Sequence, residues 1–144
     1  MGKTRKPRSL CAVVLVVCLA ACANARPEAA SLVAAVDRFH RASNDERPAR
    51  ADALALVMCK DKEVCDARAS CVDATTATAR ALRLKHEAEA VLAAGEAGQL
   101  SQTDPAMKSL PAKLAEATEL LEQGHRSMPA CDQKILVLRG RYDL

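Results

Sequence analysis

Apolar residues recur at steps of three and four along most of this chain, and where the period lapses, glycine, proline or short polar side chains stand instead. Leu32, Ala35, Val36, Phe39 and Ala42 fall on one face at that spacing, which predicts a helix over about 29–43. Ser43, Asn44 and Asp45 offer capping side chains and Pro48 suits a first turn, so a second helix with Ala53, Leu54 and Val57 is predicted over about 46–58. Asp61 can cap a third over about 62–95, whose apolar face runs from Val64 through Ala67, Cys71, Ala74, Ala77, Ala81, Leu84 and Ala88 to Val91. Asp66, Asp73, Arg80, Arg83 and Glu87 occupy its other side, a solvated face.

Gly95, Gly98, Ser101 and Asp104-Pro105 predict the one long turn. Beyond it Leu110, Leu114, Ala117, Leu121, Gly124, Met128, Cys131, Ile135, Leu138 and Tyr142 alternate steps of four and three, a heptad seam. That seam predicts a helix over about 110–140, kinked at Pro129, where a backbone donor is lost. Two long helices joined by a short connection pack antiparallel, and the shorter pair closes over them. The expected fold is all-α, a small antiparallel bundle of about four helices in one domain, 29–144. Alanine and leucine dominate its apolar residues, while aromatic and β-branched residues are sparse, which favours helix over strand.

The first 21 residues follow a different logic. Lys3, Arg5, Lys6 and Arg8 form a charged stretch, Leu10 to Leu19 a short apolar run, and small residues lead to Cys22, in the order of an export signal. Leu19-Ala20-Ala21-Cys22 resembles the recognition box of bacterial lipoprotein signal peptides. The resemblance covers residues 1–22 and implies cleavage before Cys22, lipidation of that cysteine, and a short tether over 22–28. Ala23, where inner-membrane retention would place Asp, implies the outer membrane, with the domain facing the periplasm. The mature part resembles the small, cysteine-bearing helical lipoproteins of bacterial envelopes, a likeness that transfers no active-site residue. A second reading also stands: Ala23-Asn24-Ala25 is an A-x-A site whose cleavage would release a soluble protein starting at Arg26.

Removing residues 1–21 changes the charge. Of the twenty-one basic side chains four lie there, leaving seventeen against eighteen acidic ones, so the formal +3 is a property of the signal. A nucleic-acid footprint would need clustered basic residues and stacking aromatics, and Phe39 and Tyr142 are the only aromatics, so no nucleic-acid partner is expected.

Besides Cys22, four cysteines remain after processing, Cys59, Cys65, Cys71 and Cys131, an even number suited to an oxidising compartment. Cys65 and Cys71, six apart on one helix, differ by about 120° in direction and about 9 Å in rise, too far to bond. Cys71 and Cys131 lie on the two long apolar stripes, equidistant from Ser101 at the centre of the turn, so they should face each other. Cys59 then pairs with Cys65. Five residues separate Cys59 from Cys65 and Cys65 from Cys71, wider than zinc-site spacing, so no metal or cofactor is expected.

Catalytic constellations are equally sparse. His86-Glu87 begins a zinc-protease motif, but Ala90 stands where the second histidine belongs. His40 and His125 have no nucleophile or acid at a recognisable spacing, so no enzyme activity is expected. The sequence therefore predicts a lipid-anchored helical protein with a structural or partner-binding role toward another envelope protein, or, as the alternative, a carrier of a small ligand in a cleft between helices. A filled core with an exposed apolar stripe would favour the first, and a pocket of converging polar groups the second.

Overall fold

The computed structural model describes residues 10–144, with side chains from Ala25 onward. Four helices follow one another, α1 (Leu10–Arg41), α2 (Arg47–Ala55), α3 (Lys62–Glu96) and α4 (Pro105–Tyr142), with no strand among the described residues. The charged start of the signal and the Cys22 side chain lie outside the described residues, so the expected cleavage and lipidation do too. Among the described residues no helix is long and apolar enough to cross a membrane.

Residues 26–28, expected to be a tether, belong to α1. Tertiary contacts override Pro27 there. Ala25 and Ala29 are buried, and the Glu28 carboxylate accepts the Lys60 and Asp61 amides at 2.6 and 3.1 Å, which ties this turn to the loop before α3. Those two amides hold the Glu28 carboxyl below its ordinary range. Because its folded pKa is depressed, the contact is fully present above the ordinary glutamate pKa and is lost as pH falls through the lower folded value. We expect the Lys60 and Asp61 amide resonances to titrate together below pH about 4.3, and Glu28→Gln to abolish that step.

Asp61 caps α3 as its position predicts, accepting from the Glu63 and Val64 amides at 2.9 and 3.1 Å. Asp104 does the same for α4, accepting from Ala106 at 2.8 Å, and Pro105 occupies its first turn. The fourth helix thus starts five residues before the expected 110, since Asp-Pro here opens a helix as well as ending a turn. It continues through Pro111 and Pro129 to Tyr142. At α2 the expected cap from residues 43–45 does not form. Glu46 is the capping residue without a side-chain bond, its carboxylate accepting instead from Ser43 N and Oγ, and the helix ends at Ala55, short of the expected 58.

The core sits where α1, α2, α3 and the last third of α4 meet. Leu32, Val36, Leu54, Val64, Cys71, Cys131 and Leu138 are fully buried there. Cys71 is bonded to Cys131 with Cα atoms 4.6 Å apart, and Cys59 to Cys65 at 5.4 Å. Both pairings follow the register derived above. The buried face of α3 is wider than its predicted stripe, because Thr75, Ala79 and Leu82 are covered as well. Thr75 is accommodated by donating its hydroxyl to the Cys71 carbonyl at 2.8 Å.

The heptad seam of α4 is only half covered. Leu110, Ala117, Gly124, Cys131 and Leu138, each seven residues from the next, are all buried. The alternate positions divide along the helix: Ile135 is buried, Met128 and Tyr142 are half-buried against the core clusters, and Leu121 and Leu114 are 42% and 45% exposed. Residues of α1 meet α4 at Met128 and Ile135, whereas toward the turn the hairpin of α3 and α4 extends as a two-helix arm. Between α3 and α4 Arg80 pairs with Glu116, and Lys113 with Glu87 at 2.8 Å. Elsewhere Arg83 reaches Asp52 and Arg139 reaches Asp37, each at 2.7 Å, linking neighbouring helices. These pairs are solvated and contribute little individually.

Candidate functional site

Two histidines that lie far apart in sequence come together where the arm leaves the core. A pocket of about 320 Å³ is lined by Phe39 and His40 at the end of α1, Arg47 at the start of α2, Thr78 of α3, and Leu121, Gly124, His125 and Met128 of α4. His40 Nε2 is 3.0 Å from Asp132 Oδ1, and both side chains are about half exposed. Gly124 opens the floor, because a Cβ at that position would lie 2.3 Å from Thr78 Oγ1.

Arg47 supplies the positive charge of this pocket. Its guanidinium lies 5.8 Å from the centre of the Phe39 ring, and one Nη donates to Asn44 Oδ1 at 3.3 Å. Its Nε is buried with no hydrogen-bond partner among the described residues. Together the walls combine an apolar side of Phe39, Leu121 and Met128 with cationic and imidazole groups, a chemistry suited to a small anionic group carrying an apolar tail. The sequence reading placed His40 and His125 on separate helices without joining them. The one available signal was that His125 and Asp132 are seven residues apart on α4, hence on one face; that the end of α1 meets this face is a tertiary fact.

His86 stands elsewhere, half-buried on α3 with Nε2 3.2 Å from Asp45 Oδ1. Cys59, Cys65, Cys71 and Cys131 are all consumed in disulfides, and among the described residues no group of three histidine, cysteine or carboxylate side chains is placed to hold a metal ion. A second, shallower groove of about 680 Å³ runs along α1 between Pro27 and Arg38, walled by Val57 and Met58. Comparison with protein-family models, with curated proteins and with solved structures finds no match.

Proposed function

We propose that the protein is a lipid-anchored helical module of the bacterial cell envelope, held to the membrane through Cys22, and that its α3–α4 arm binds an envelope protein. The observation that carries the binding role is the uncovered half of the α4 seam. Leu114 and Leu121 project from a helix whose other seam positions are buried or half-buried, and between Met107 and Leu121 that face, with Pro111, Ala115 and Thr118, carries no charge. An apolar stripe one heptad long on a disulfide-stapled arm suits a partner helix laid alongside it. Two disulfides in a small alanine-rich core support an oxidising compartment, in keeping with export.

A ligand carrier is the second reading, favoured by the converging Arg47, His40 and His125 around the pocket at the base of the arm. One set of variants separates the two. Leu114→Lys with Leu121→Lys is expected to lower the yield of a captured envelope partner at least about tenfold, the loss of two buried leucines at an interface. Replacing His40, His86 and His125 with alanine should leave both capture and helical content unchanged. Loss of a bound small molecule in the histidine variant, with capture unaffected by the lysines, would favour the carrier and reject the arm.

A further inference from the structure

The loop between α2 and α3 is pinned on three sides yet turns its largest side chains into water. Glu28 holds the Lys60 and Asp61 amides, Arg68 Nη1 donates to the Val57 carbonyl at 2.8 Å, and Cys59 is bonded to Cys65. Leu56 and Met58 are nevertheless 78% and 76% exposed, more than any other large apolar residue described. A loop this constrained does not expose them through slackness. Met58 forms the wall of the groove along α1, whose floor consists of Pro27, Ala30, Ser31 and Ala34.

Cations surround that apolar centre. Arg38 lines the groove, Arg41 follows one turn later on the same helix, and Lys60 stands two residues beyond Met58, all three exposed; Arg26, before Pro27, is exposed too and donates to the Asp143 carbonyl at 3.2 Å. Among the described residues none of the four meets a carboxylate within 4.0 Å. Glu28, the acidic side chain lining the groove, is engaged by backbone amides. Protruding aliphatic side chains within a basic rim match the interface of a bilayer, where apolar tips enter the acyl boundary and arginines meet phosphates. Position along the chain argues the same way, because Pro27 lies five residues from Cys22, so acyl chains there would hold this face at high effective concentration over the lipid.

We propose that Leu56, Met58 and the α1 groove dock the domain on the surface of a bilayer containing anionic phospholipid, so that the anchored protein lies against the membrane through this face. The proximity argument rests on the lipid-anchored reading; the charge and exposure arguments do not.

The chain has no tryptophan, so Met58→Trp and, in a separate protein, Leu136→Trp provide single reporters, Leu136 being a 62% exposed residue of α4 outside the groove. Full-length processed protein is reconstituted in vesicles of phosphatidylethanolamine and phosphatidylglycerol, with and without brominated acyl chains. A blue-shifted emission at position 58 that brominated lipid quenches, with position 136 remaining water-exposed, is the expected result. In the Met58→Trp background, Arg38→Glu should lower the ratio of docked to undocked protein about fivefold, and Leu56→Asp about tenfold. Protein that stays with the vesicles while both reporters remain in water overturns the docking and leaves the anchor standing. Emission at position 58 that is blue-shifted but unquenched by brominated lipid means that protein covers the face, and overturns it too. Protein without lipid that leaves the vesicles overturns the anchor, and the same reporters on the released form, added back to vesicles, then decide the docking.

Discussion

Cys71→Ala combined with Cys131→Ala is expected to lower the thermal midpoint by more than about 10 °C, the largest effect of any change confined to two side chains here. The bridge joins residues 60 apart in sequence, so in the unfolded chain it removes loop entropy equivalent to about 4 kcal/mol. Cys59 and Cys65 are six apart, and the same relation gives about 2 kcal/mol for their bridge. Cys71 and Cys131 are also fully buried in the main core cluster, so shortening both leaves space that the helices close only in part. Calorimetric melts of the two double variants check the order. A larger drop for Cys59→Ala with Cys65→Ala would show that the long bridge is not what holds α3 against α4.

Substitution at Gly124 should come next in size. A Cβ there would lie 2.3 Å from Thr78 Oγ1 and 3.1 Å from the Ala74 carbonyl, so α3 and α4 are in close approach at this seam position. Thr78 cannot simply turn away, since its hydroxyl donates to that same Ala74 carbonyl at 3.2 Å. Gly124→Leu is expected to destabilise by about 3 kcal/mol through overpacking. Gly124→Ala sets a helix-propensity gain of about 1 kcal/mol against the clash, and the 2.3 Å approach to the Thr78 hydroxyl makes the clash prevail. Thr78→Ala removes the closest atom and should reverse the sign, making Gly124→Ala stabilising in that background. Urea denaturation of the four proteins of this cycle measures it, and additivity would mean that the two helices do not meet as described.

The cysteine register was legible because it depended on helix geometry alone. Six residues in one helix set the directions of Cys65 and Cys71, and symmetry about Ser101 set Cys71 against Cys131. The α3 stripe was legible for a similar reason, its period being unbroken from Val64 to Val91. What escaped depended on neighbours. Residues 26–28 read as a tether from Pro27, and only the bond from Glu28 to the loop before α3 makes them helix. Asp104-Pro105 carries the chemistry of a turn and of a helix start at once, and the preceding glycines made the turn prevail in the reading.

For the candidate sites the limit was plainer. Leu114 and Leu121 obey the same heptad as Ile135 and Tyr142, and periodicity cannot state where the covering helices end. His40, His125 and Arg47 converge because the end of α1 and the start of α2 reach the base of the arm, which no local pattern encodes. The exposure of Leu56 and Met58 lies in a stretch read as the end of the second helix, where side-chain direction would have been assigned wrongly.

Intact-mass analysis of protein extracted from the membrane fraction, without reducing agent, tests the central reading most directly. The account predicts a chain of 123 residues beginning at Cys22, heavier by a diacylglyceryl group on sulfur and an acyl group on nitrogen, and lighter by four hydrogens for two disulfides. A chain beginning at Arg26 with no added lipid, or one retaining residues 1–21, would contradict it.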